Sequence, residues 1–105
     1  MAKKPNRVTE EDVAKAVLEI LATTPNGEAS IKELVTEIPN HLDLSADDRT
    51  QSTTRRNEEV WEQQVRNITS HHGSPGNYIR DGYLERIDGG LRITAAGKLH
   101  LKSLR

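Results

Sequence analysis

Five polar side chains recur along one stretch of the chain: Gln63, Arg66, Asn67, Ser70 and His71. On a helix they would share an outward face. Arg can engage guanine through a two-donor fork, and Gln or Asn can match adenine. A second group is Arg86 and Arg92, placed symmetrically around Asp88-Gly89-Gly90. On the opposed strands of a hairpin they would be near neighbours, able to grip phosphate or a minor groove. A third is the basic pair Arg55-Arg56, which ends a polar stretch that phosphate contact could order. The chemistry common to all three is recognition of a nucleic acid. Each group also reads as ordinary solvated surface, and Glu58, Glu59 and Glu62 beside the first would repel phosphate.

Other chemistries find less support. The chain has no Cys, so disulfides, thiolate metal sites and Cys nucleophiles are excluded. His71 and His72 are adjacent and cannot share a helix face, and metal ligands on helices favour i, i+4 spacing. No metal or other cofactor is expected. Paired catalytic carboxylates, a G-x-S-x-G elbow and a P-loop are all missing from the sequence. Asp43, Asp47 and Asp48 form the densest acidic group, but they read as helix-start and solvent residues. The expectation is a protein that is not an enzyme and has no small-molecule substrate.

The 105 residues suit one domain, with 33% apolar and 30% charged residues. A chain of this length buries roughly 60–70% of its unfolded surface, enough for a small core. The net charge of -1 hides an asymmetry: residues 1–50 carry -4 and residues 51–105 carry +3. No apolar run approaches the ~18 residues of a membrane span, and the basic N-terminus lacks a signal-peptide core. The expected location is cytoplasmic, away from membranes.

The elements that must position these groups follow from local chemistry. Residues 1–8 read as a flexible arm, and 9–105 as the domain. Thr9 caps a first helix over 9–23, with Glu10, Glu11 and Asp12 at its positive end and Val13, Val17, Ile20 and Leu21 on one face. Ser30-Ile31-Lys32-Glu33 is a capping box that opens a second helix over 30–38, stopped by Pro39. Residues 39–56 form an extended polar connection. Asn57 caps a third helix over 57–71, with Trp61, Val65 and Ile68 inward. Tyr83–Ile87 and Leu91–Thr94 flank an Asp-Gly turn and read as a hairpin. Thr94 opens a C-terminal helix whose Leu99, Leu101 and Leu104 cannot all face one core. The predicted class is mainly α with a small β-hairpin. Three helices, a two-stranded wing and a C-terminal helix make a winged helix-turn-helix.

Three stretches carry a resemblance. They are Leu42-Asp43-Leu44-Ser45-Ala46-Asp47-Asp48-Arg49; Val60-Trp61-Glu62-Gln63-Gln64-Val65-Arg66-Asn67-Ile68; and Gly82-Tyr83-Leu84-Glu85-Arg86 with Gly90-Leu91-Arg92-Ile93-Thr94-Ala95-Ala96-Gly97-Lys98. In this order they resemble the N-terminal winged-helix domain of Mrr-type, modification-dependent restriction proteins. The connection over His72–Asn77 is longer than that pattern expects. The resemblance implies a double-stranded DNA-binding module in a restriction or regulatory context, and a binding role rather than cleavage. Whether it stands alone or belongs to a larger restriction protein stays open. The alternative is a winged helix that binds a protein or a second copy of itself.

Overall fold

The computed structural model describes residues 8–46, 48–50 and 58–104. Residues 1–7 of the expected arm, the Asn57 cap, and Arg55 and Arg56 lie outside the described residues, whereas Val8, the last residue of that arm, is half-buried against the core and donates its amide to Asp48 rather than fraying. The described chain is mainly helical, with four α-helices and a small antiparallel sheet.

Helix α1 spans Glu10–Thr23. The Thr9 hydroxyl accepts the Asp12 amide at 3.1 Å, and the Asp12 carboxylate accepts the Thr9 amide at 3.0 Å. Seven of its residues are buried, among them Val13, Val17, Leu18 and Leu21, so this helix is the centre of the core. The hydroxyls of Thr23 and Thr24 donate to the Ile20 and Leu21 carbonyls at 2.8 and 2.9 Å and close the last turn. Pro25–Gly27 then makes one turn of 3₁₀ helix.

Strand β1, Glu28–Ser30, is an element the sequence reading did not anticipate. It leads directly into α2, Ile31–Glu37, capped by Ser30, whose hydroxyl accepts the Glu33 amide at 3.0 Å. Pro39 sits in a 3₁₀ turn over Ile38–Asn40, so the helix ends within a residue of its expected stop. Leu34 and Ile38 enter the core behind α1.

Helix α3, Glu62–Ser70, starts five residues later than the sequence suggests. Long-range pairing is the cause. The amides of Val60 and Trp61 donate to the carbonyls of Thr50 at 2.8 Å and Asp48 at 3.0 Å, which holds Val60 and Trp61 in a turn ahead of the helix. Trp61, Val65 and Ile68 point inward, as expected.

Strands β2, Leu84–Ile87, and β3, Gly90–Ile93, form the expected hairpin. The sheet order is β1-β3-β2, so β3 is central. Helix α4, Ala95–Ser103, is capped by the Thr94 hydroxyl, which accepts the Gly97 amide at 2.9 Å. Leu101 is buried, whereas Leu99 and Leu104 are 67% and 43% exposed. Two glycines permit the close packing here. A Cβ at Gly97 would overlap the Tyr83 carbonyl, and one at Gly90 would overlap the Ala29 carbonyl.

One acidic residue departs from expectation. Asp48 is buried at 2% exposure. Its carboxylate accepts the Val8 amide at 2.9 Å, the Ser45 amide at 2.9 Å and the Ser45 hydroxyl at 3.1 Å. It is a structural staple that ties the start of the domain to the 45–50 turn, not a solvent residue.

Candidate nucleic-acid interface

The outward side of α3 carries the expected residues in unequal states. Arg66, Ser70 and His71 are exposed, while Gln63 and Asn67 are half-buried. The Asn67 side-chain amide donates to the Gln64 side chain at 3.2 Å.

Arg66 does not extend freely into solvent. Its Nε lies 3.0 and 3.1 Å from the two carboxylate oxygens of Glu58, and its Nη2 donates to one of them at 2.8 Å. This is a two-toothed charge-assisted pair. The bond to Glu58 holds the guanidinium still more firmly protonated than usual, against a smaller opposing effect of burial. Glu62, one turn before Arg66, titrates above the ordinary carboxylate range. Burial is the largest cause, and the neighbouring Glu58 adds to it.

His71 is also engaged. Its Nδ1 lies 2.8 Å from Glu10 at the start of α1. The other Glu10 oxygen accepts the buried Asn77 side-chain amide at 3.3 Å, and that amide also donates to the Ile68 carbonyl at 2.9 Å. The Asn77 side-chain oxygen accepts the amides of Ile79 and Arg80 at 2.8 and 3.2 Å. Glu10 and Asn77 together lock the exit of α3 and organise the long connection into the hairpin.

The hairpin separates its two arginines. The register pairs Arg86 with Leu91 and Arg92 with Glu85. Neighbours along a strand face opposite ways, so Arg86 and Arg92 lie on opposite faces of the sheet and do not form a joint clamp. Arg92 sits between two carboxylates, donating from Nε to Glu28 at 3.0 Å and from Nη1 to Glu85 at 2.8 Å. Glu28, Arg92 and Glu85 stand directly opposite one another across the three strands. Arg86 is exposed and makes no ion pair among the described residues. Arg55 and Arg56 lie outside the described residues.

Glu58, Glu10, Glu28 and Glu85 are the partners that sequence reasoning missed. The Glu58–Arg66 contact carries no helical signal, because Glu58 precedes α3 and reaches Arg66 only where the chain turns into the helix. The Glu28–Arg92 contact was not readable either, because it depends on β1 finding its register across a separation of 64 residues.

Among the described residues no group of three or more His, Asp or Glu could hold a metal ion. None of the described helices is long and apolar enough to cross a membrane. No protein-family model, curated protein or solved structure matches the chain.

Proposed function

We propose that the chain is a winged-helix module that binds double-stranded DNA, with α3 in the major groove and the β2–β3 hairpin as the wing on the backbone. The observation that carries the reading is the element order. Helix, strand, two helices, a two-strand hairpin that the first strand joins, and a final helix are the parts such a module requires. Within it, α3 takes the place of the recognition helix, which enters the major groove in such motifs, with 24 residues in place of the usual short turn between it and α2. The resemblance of residues 42–98 to Mrr-type winged helices agrees with this assignment and suggests a restriction or regulatory setting. Arg66, Ser70 and His71 are then the exposed groups of the reading helix, with Gln63 and Asn67 beside them. Arg86 is a wing cation with no ion pair among the described residues, and Arg55 and Arg56 precede the helix in sequence.

A specific observation favours a second reading. Carboxylates within the chain already pair with Arg66 and Arg92, Glu10 lies against His71, and Leu99 is left bare on α4. A winged helix built this way could bind a protein, or pair with a second copy, instead of DNA.

Fluorescence anisotropy with a labelled 20-base-pair duplex separates the two. Each neutralised phosphate contributes about -0.9 to the log–log salt slope, so three to six contacts give about -3 to -5. A slope in that range is expected. Absence of binding at low salt would reject the DNA reading, and light scattering would then test self-association.

A further inference from the structure

The pairing of Arg66 with Glu58 has a direction. A guanidinium offers two donor edges, one through Nε and Nη2 and the other through Nη1 and Nη2. Glu58 occupies the first edge with three contacts between 2.8 and 3.1 Å. The Glu58 side chain is only 9% exposed, whereas that of Arg66 is 48% exposed. Nη1 makes no hydrogen bond among the described residues. A buried carboxylate cannot follow a ligand outward, so it holds the guanidinium plane in one orientation. The second edge is what remains available.

We infer that Glu58 is a positioning residue that presents the Nη1–Nη2 edge of Arg66 as a rigid fork for the O6 and N7 acceptors of guanine in duplex DNA. The inference rests on the DNA reading above and names the base that α3 reads. Guanine fits better than phosphate for an electrostatic reason. The Glu58 carboxylate offsets the Arg66 charge, which weakens its pull on a phosphate anion. A hydrogen-bonded match to the neutral O6 and N7 pair needs geometry rather than net charge. Pre-orientation also lowers the entropy lost when the fork engages a base.

The test uses the full chain and three labelled 20-base-pair duplexes: one rich in guanine, the same duplex with 7-deazaguanine, and one of A·T pairs only. Loss of N7 removes one acceptor of the fork, so the wild type should prefer the natural duplex by about tenfold. Arg66→Lys keeps the charge and should lose that preference. Glu58→Gln should lose it too, while still binding all three duplexes with a strong salt dependence. In the free protein, the Arg66 Nε–H resonance should be protected from exchange in the wild type and exposed in Glu58→Gln. The protection of that resonance in the wild type and the Arg66→Lys result decide the matter even if Glu58→Gln folds poorly. Equal affinity of the wild type for natural and deaza duplexes would overturn the guanine fork and leave DNA binding intact. Tighter binding of Glu58→Gln to every duplex would make Glu58 a competitor of DNA and overturn its positioning role. Failure of the wild type to bind any duplex would remove the DNA reading and this inference with it.

Discussion

Arg92 and Asp48 show how the same residue types take different work from their surroundings. Arg92 is flanked by Glu28 and Glu85 on the sheet face, where all three side chains are partly exposed. Exposed pairs of this kind contribute about 1 kcal/mol or less. Arg92→Ala is therefore expected to lower stability by no more than that in denaturant unfolding, and to change duplex affinity little. Asp48 is buried and satisfies two backbone amides and a hydroxyl. Asp48→Ala strips buried donors of their acceptor and should cost about 2–4 kcal/mol, read as a lowered unfolding midpoint. A midpoint unchanged by Asp48→Ala would contradict its role as a staple. Glu62 adds a pH dependence of definite sign. Its carboxyl titrates above the ordinary range in the folded state, chiefly through burial. The folded chain thus holds this proton more tightly than the unfolded chain. The benefit is present below the ordinary Glu pKa and is lost as pH rises through the raised value. Glu62→Gln should then be more stable than the wild type near neutral pH, with the difference shrinking on acidification, as thermal melts across pH would show.

At the scale of elements, the parts of the fold defined by local chemistry were legible. Thr9 with Asp12, Ser30 with Glu33, and Thr94 all cap the helices they were expected to cap. Asp88-Gly89 turns the hairpin as its sequence requires. What could not be read was set by partners distant in sequence. Strand β1 has three residues and one buried side chain, too few for an alternating pattern to register. The late start of α3 reflects amides at 60 and 61 drawn to carbonyls at 50 and 48. The candidate site was legible in its residue types but not in its pairings, because Glu10, Glu28 and Glu58 reach His71, Arg92 and Arg66 only after folding. Gly97 illustrates the same limit. It looks like a weak point inside α4, yet it lets that helix pack onto the Tyr83 carbonyl. Gly97→Ala would favour an isolated helix by about 1 kcal/mol. In this protein it should instead destabilise by roughly 1–3 kcal/mol, through overlap with backbone that has little room to move. A raised melting temperature for Gly97→Ala would refute that packing argument.

On the scale of the whole molecule, the balance of charge matters more than its total. The net charge is -1, and the surplus of cations lies in residues 51–105. Arg66 and Arg92, among those cations, are held by carboxylates, so the positive field available to the proposed DNA ligand is weaker than a count of arginines suggests. On the proposed reading, recognition then rests on a few well-placed groups of α3 and the hairpin. The most direct measurement is a backbone-amide NMR titration of the labelled chain with a mixed-sequence 20-base-pair duplex, at low salt and again near physiological salt. The expected result is a set of shifts concentrated on residues 62–71 and 85–90, fading as salt rises. An unperturbed spectrum at low salt, or shifts confined to α4, would contradict the account.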